Sequence, residues 1–544
     1  MSIALAAVIF LVVIGALIAA AVRIWRRRAE GDDVDGGVDV IPYLLLALAV
    51  GTSGFTLAAL ARASLTANQI AGRPTGEIAG ALAGLVVSAP MAFLLWRRQA
   101  GRRKTYPEAA GWPIYLTLVE LVFLAAFFLS VWDLAAVLSG DGGGANWTDL
   151  VVYGGVVAFH WWSEWRDRPR GDARDLPRLT GSGVALIALS IGLIGSLTWL
   201  LSVAYDGIWG LDQIPEPAMP LALLIASAPI WAYRWLPAWD DEAGSLRNFY
   251  LGLATTASLT MVIGALLTLV STVITFLLDE GAARRASDHF SDLPVTLAIL
   301  LGGGTLWWHH VRRLGPGRTK ARRGYEYAMA AIGLASLVGS SVALVEAVFT
   351  PTLAGTDSAA ILLTLGCIVI AAGWVWLYFW RRVQKASPRD EEVRALPRRF
   401  YLVGMAIVLG LTAAGSLIAV LVIVFRALLG EVDAMAGSLR LPVTITLLSG
   451  LATWHLIDQL REDRAGAGTG PAARPFSLTV ICSHPGNLGA LLPREARVRI
   501  IYRDDDIAVI DDDMASAIVS AVDGRSSFVW VDQDGFRVAP ARER

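Results

Sequence analysis

Three acidic residues stand inside long apolar runs of this sequence, Glu120, Asp133 and Glu346, and each is a candidate ligand- or ion-binding group. An unpaired charge in hydrocarbon costs about 2.5 to 3.5 kcal/mol on insertion scales, so an acid in such a run must serve a purpose. It either holds a proton or cation in a polar crevice, or it is bonded to a neighbour and ties helices together. Glu120 lies about five residues beyond Tyr115 and admits both readings, the second with a Tyr, a Trp or an Arg of a neighbouring unit as its partner. Asp133 falls 13 positions later on the same run, about 3.6 helical turns, so the two carboxylates point to different sides and cannot form a pair. Glu346, close to Pro351, reads as an interfacial group.

Other chemistry-bearing residues favour blander roles. His309 and His310 are adjacent, diverge by about 100° on a helix and are poorly placed to share a metal ion. With Trp307 and Trp308 they read as an interfacial aromatic belt, as do His160, Trp161, Trp162 and His455. Asp504–Asp506 and Asp511–Asp513 flank Ile507–Ile510 and suit a divalent ion or, more simply, solvated loop ends. Cys367 and Cys482 lie in unlike settings and support neither a disulfide nor a thiolate site. No phosphate-binding loop, nucleophile elbow or zinc-protease motif is present, so no catalytic residue, cofactor or metal site is read.

The elements that must carry these residues are membrane helices. The 544 residues are 55% hydrophobic and 17% charged, with 20 Trp, which excludes an ordinary soluble fold. A formal net charge of −1 gives no basic excess of the kind that nucleic acid attracts. Apolar runs of bilayer length recur in pairs, five of the six pairs opening on an aromatic residue and all six closing on Trp with Arg or His. The expected fold is an all-α polytopic membrane protein of about 13 transmembrane helices: six tandem helical hairpins, an N-terminal anchor, and a small α+β cytoplasmic C-terminal domain.

The expected boundaries are an anchor at 1–28, a linker at 29–41 and hairpins at about 42–104, 112–174, 176–239, 246–318, 322–385 and 396–464. A linker at 465–475 then leads to the small domain at 476–544. Tyr43 to Trp96, Tyr327 to Trp380 and Tyr401 to Trp454 are each separated by 53 positions, which argues for duplication of a two-helix unit. The third hairpin departs from the pattern, with Leu179 and Thr180 where the others begin with an aromatic.

On this Tyr-leading, Trp/His-trailing pattern (Phe400-Tyr401 with Trp454-His455, Phe249-Tyr250 with Trp308-His309, and Trp380-Arg381-Arg382) the sequence resembles a bacterial multi-pass membrane family. That family is number 5671 in the series of domains of unknown function, and the resemblance covers most of residues 42 to 464. It implies a module of paired helices and carries over no catalytic residues.

Charge placement sets the expected orientation. With the N-terminus outside, the cytoplasmic segments hold roughly thirty Lys and Arg, in clusters such as Arg23–Arg28, Arg97–Lys104 and Arg381–Arg399. The outer loops hold about half a dozen, among them Arg62, Arg426 and Arg440. The C-terminus then lies in the cytoplasm of a cell whose plasma membrane the chain crosses. Expected partners are the bilayer, anionic headgroups at the cytoplasmic Arg clusters and a protein bound by the C-terminal domain, with no nucleic acid. The expected function is that of a non-enzymatic envelope scaffold or interaction module. The alternative is a transporter or channel with Glu120 in its pathway, and a lipid-acting enzyme would require His160, His309 and His455 to meet.

Overall fold

The computed structural model describes residues 36–66, 75–105, 111–139, 147–167, 172–209, 216–236, 245–278, 286–315, 317, 319–349, 356–386, 390–393, 395–430, 435–466, 476–483, 488, 496–502, 510–522, 527–532 and 535–540. The anchor at 1–28 lies outside them, as do Asp504–Asp506. The expected linker at 29–41 is described only from Gly36, where the first helix already begins. Val38, Val40 and Ile41 extend that helix back across Pro42, whose ring costs one backbone hydrogen bond.

Among the described residues twelve helices of 18 residues or more follow one another. They are α1 (Gly36–Thr66), α2 (Thr75–Thr105), α3 (Gly111–Leu138), α4 (Trp147–Asp167), α5 (Asp172–Trp209), α6 (Ala218–Trp235), α7 (Ser245–Leu278), α8 (Leu293–Val311), α9 (Lys320–Phe349), α10 (Thr356–Ala386), α11 (Leu396–Leu428) and α12 (Met435–Gly466). Among the described residues ten helical spans are long and apolar enough to cross a membrane. The exceptions are α4, which carries Asp149, Glu164 and Arg166, and the 18-residue α6, which contains Pro220, Pro229 and Arg234. In hydrocarbon only a helix bonds all of its own peptide groups, which is why uninterrupted apolar runs fold this way. Many of their hydroxyls bond within the helix too: Thr255, Ser258 and Thr412 donate to the carbonyls of Leu251, Ala254 and Val408 one turn back.

Each helix packs on its sequence neighbour in pairs, and the pairs join into groups of four: α1–α4, α5–α8 and α9–α12. In every group the first helix touches the other three, and the third packs on the fourth. Between groups, the third helix of one meets the first two of the next, so α3 packs on α5 and α6, and α7 on α9 and α10. Glycines permit the close crossings. A Cβ on Gly192 of α5 would stand 2.5 Å from the Leu224 nitrogen of α6, and one on Gly333 of α9 would stand 2.7 Å from the Trp376 nitrogen of α10. In α9 and α11 the buried residues, from Ala321 to Leu334 and from Arg398 to Leu409, occupy the first half. The second half of α11, with Leu411, Ile418 and Phe425 exposed, presents an apolar surface to its surroundings.

After α12 the chain forms β1 (Phe476–Cys482), β2 (Ala496–Tyr502), α13 (Asp512–Val522), β3 (Ser527–Asp532) and β4 (Gly535–Pro540). The strands lie in the order β2-β1-β3-β4, with β1 parallel to both neighbours and β3 antiparallel to β4. Leu478, Val480 and Val529 from the sheet and Ala515, Ile518 and Val522 from α13 form its core. The Asp511 carboxylate accepts the Met514 amide at 2.7 Å and caps α13, and the exposed Asp512 and Asp513 open its first turn.

Candidate functional site

Glu120 is 2% exposed, at the junction of the first and second helix groups. Its Oε1 accepts from Trp161 Nε1 on α4 and from Arg234 Nη2 on α6. Arg234, equally buried, also donates through Nη1 to Glu164 Oε2 at 2.8 Å, and the Arg178 Nε of α5 reaches Glu164 Oε1 at 3.1 Å. Two carboxylates and two guanidiniums thus alternate across α3, α4, α5 and α6, with the Trp161 ring 5.2 Å below the Arg234 carbon. Gly181 leaves room for the carboxylate, since a Cβ there would stand 2.8 Å from Glu120 Oε1 and push it aside. Glu120 Oε2 and Arg234 Nε are buried without a hydrogen-bond partner.

The other two acids lie elsewhere. Asp133 is exposed near the end of α3 and is not brought to Glu120. Glu346, at the far end of α9, pairs with Arg440 of α12 at 3.0 Å, and Arg440 also donates to the Phe349 carbonyl.

A second ionic cluster escaped the sequence reading because its members sit at run ends, where charges pass for topology signals. Arg398 on α11 is 1% exposed and grips Asp463 of α12 through two bonds of 2.6 and 2.7 Å. Tyr327 donates to Glu392 at 3.0 Å, Arg323 pairs with the same carboxylate at 3.0 Å, and Arg382 pairs with the buried Glu326 at 3.1 Å.

The aromatic pattern resolves into three similar clusters, one in each helix group. Trp96 lies 6.1 Å from Tyr115 and 5.8 Å from His160, ring to ring. Trp235 lies 4.6 Å from Tyr250 and 6.0 Å from His310, and Trp380 lies 5.4 Å from Tyr401 and 5.9 Å from His455. A fourth member comes from the first helix of each group: Tyr43 is 6.5 Å from Tyr115, Tyr327 is 5.8 Å from Tyr401, and Ser182 donates to the Tyr250 hydroxyl at 3.1 Å. Ser182 stands 53 positions before Trp235, the same interval as Tyr43 to Trp96 and Tyr327 to Trp380. The departure of the third hairpin therefore lies at Ser182 rather than at Leu179.

The clusters correct the interfacial reading for His160 and His310. His160 and His310 are buried, while the neighbouring Trp162, Trp308 and Trp454 face outward. His160 bonds the Val156 carbonyl through Nδ1 at 2.7 Å and the Tyr115 hydroxyl through Nε2 at 2.6 Å. In the other two groups the Tyr hydroxyl is met by a Trp instead, Trp231 to Tyr250 at 3.2 Å and Trp376 to Tyr401 at 3.3 Å, and the Nε2 atoms of His310 and His455 are buried without a hydrogen-bond partner. His160, His309 and His455 lie in three separate clusters.

Among the described residues no three His, Cys, Asp or Glu stand together in a metal-holding group. A groove of about 540 Å³ between α1 and α3 is lined by apolar side chains, Leu44, Leu48, Phe55, Leu118 and Val122 among them, with Thr52 and Thr56 as its hydroxyl-bearing members.

Residues 323–456 match the family described as Domain of unknown function (DUF5671). The match is narrower than the likeness over 42 to 464 that the sequence pattern suggests. It spans most of the third helix group and takes in all four members of its cluster, Tyr327, Trp380, Tyr401 and His455. Neither a curated protein nor a solved structure matches the chain.

Proposed function

We propose that this chain is a non-enzymatic integral protein of the plasma membrane that serves as a scaffold or interaction module. One observation carries the reading: the buried Arg234 and Arg398, like the half-buried Arg440, are bound to acids of other helices. Arg234 joins α6 to α3 and α4, Arg398 joins α11 to α12, and Arg440 joins α12 to α9. Charges used this way set which helices meet, a role that buried ion pairs fill in specifying register.

The proposed architecture is three copies of a four-helix unit, each made of two hairpins, with an N-terminal anchor as the thirteenth crossing. The recurrence of one cluster and one packing pattern supports it, as does a family match of one unit's length. The N-terminus then lies outside and the 476–544 domain in the cytoplasm, where it meets a protein partner while the Arg clusters hold anionic headgroups. Reporter tags after Lys104, Lys320 and Lys385 should all report the cytoplasm, and a tag on opposite faces would overturn the arrangement. Deleting 476–544 should release the co-purifying partner, and a complete set of partners without that domain would overturn the scaffold reading.

A transporter or channel is the second reading, favoured by the buried, unbonded Oε2 of Glu120. Purified protein in liposomes would then move an ion or small solute, and Glu120→Gln would abolish the flux. Equal flux with and without the substitution would remove Glu120 from any pathway.

A further inference from the structure

The register of the C-terminal sheet gathers one set of side chains on the face that α13 leaves open. Thr479 of β1 stands beside Arg499 and Phe528, Ile481 stands beside Ile501 and Trp530, and Trp530 faces Arg537 of β4. Leu478, Val480 and Val529 point the other way, into the core under α13. Phe528, Trp530 and Ile501 are 50%, 47% and 42% exposed, and Arg499 and Arg537 are exposed on either side of them. Two large aromatics at the centre of a sheet, open to water and bracketed by guanidiniums on the outer strands, make an apolar patch with a basic margin.

We propose that this open face docks on anionic lipid headgroups of the membrane that the helices occupy. The side-chain types suit that interface: Trp and Phe settle at headgroup depth, and Arg forks onto phosphate oxygens. Charge is divided to match, since the exposed Asp511, Asp512 and Asp513 stand at the start of α13, on the opposite side of the sheet. Among the described residues the acid on the open face is Asp532, at the hairpin end of β3, where its carboxylate accepts Trp530 Nε1 at 3.0 Å. Residues 467–475 are the only chain between α12 and β1, and nine residues span at most about 30 Å. The domain is therefore held within reach of the bilayer, at a high effective concentration, so weak headgroup contacts suffice. The inference rests on the membrane reading of the helices, whose failure would show separately, as protein that does not enter lipid discs.

The test uses the full chain in nanodiscs of phosphatidylcholine alone or mixed with phosphatidylglycerol, with Cys367→Ser and a spin label attached through Ala539→Cys on the same face. Cys482 stays in place, because it is buried and takes up a second label only when the domain has unfolded. Docking predicts that the label loses contact with a water-borne nickel relaxant in the anionic discs and keeps it in the zwitterionic ones. Arg499→Gln with Arg537→Gln should shift the docked-to-free ratio toward free on the order of 10-fold or more. Trp530→Gln should act in the same direction. Equal accessibility in both lipids, whether high or low, overturns the proposal, as does protection that appears only on addition of a single-stranded RNA oligonucleotide. A second label at Cys482 in the Trp530 variant marks unfolding and leaves the arginine pair to decide.

Discussion

Arg234 donates to Glu164 across 2.8 Å of buried space, although the two are 70 positions apart and belong to different four-helix groups. The same guanidinium holds Glu120, so one cation bridges two acids, of which Glu164 also pairs with Arg178. Arg234→Met should therefore be the most damaging single change at the junction, costing about 3 to 5 kcal/mol because it leaves Glu120 buried without a cation and Glu164 with Arg178 alone. Glu120→Gln should cost less, since Arg234 keeps Glu164. Unfolding midpoints in mixed micelles of mild detergent and dodecyl sulfate measure both, and the reverse order would show that the junction is not organised around the arginine.

The two glycine crossings can be separated from ordinary helix positions in the same way. A methyl group on Gly333 or Gly192 would press on the backbone of the facing helix at 2.7 or 2.5 Å, whereas nothing lies within 4 Å of a Cβ on Gly339. Gly333→Ala and Gly192→Ala should each destabilise by about 1 to 3 kcal/mol through overpacking. Gly339→Ala, in the same helix as Gly333, should stabilise by up to about 1 kcal/mol through helix propensity. A common sign for all three variants in mixed-micelle unfolding would contradict the close crossing.

The Tyr115–His160 bond makes the first cluster different from the other two. In Tyr115→Phe the His160 Nε2 loses its 2.6 Å partner while remaining enclosed, which costs about 1 to 3 kcal/mol. Tyr250→Phe strands Trp231 Nε1 and Ser182 Oγ instead, leaving the His310 bonds unchanged. Nitrogen NMR of labelled histidine in the purified protein should show a shifted Nε2 resonance only in the Tyr115 variant. A shift in both would mean that the clusters share one hydrogen-bond pattern.

Hydropathy and the 53-residue interval made the helical class and the pairing of neighbours legible in the chain. The grouping of hairpins in twos, four helices to a group, was not, because it depends on contacts such as Ser182 with Tyr250, in which a hydroxyl replaces the ring expected at that place. Glu120 stood out as a charge in an apolar run, yet its partner Arg234, between Tyr233 and Trp235, looked like one more arginine among the aromatics at a run's end. Arg398 was hidden for the same reason. A charge at a helix end satisfies topology whether it faces water or a buried carboxylate, and only the packing of a distant helix distinguishes the two.

Cys482 offers a probe of the C-terminal domain by itself. It is fully enclosed in the sheet core, and burial pushes its thiol above the ordinary value. Because the folded state disfavours the thiolate, the domain keeps its full stability while the unfolded thiol stays protonated. It loses stability as pH rises through and beyond the ordinary thiol value of 9.0. In a Cys367→Ser background, maleimide labelling at neutral pH should proceed only through opening of the domain, and so should run orders of magnitude slower than in denaturant. It should quicken above that value by more than the thiolate fraction of a free cysteine accounts for, as opening becomes more frequent. Labelling at neutral pH as fast as in denaturant would mean that Cys482 is not enclosed between the sheet and α13.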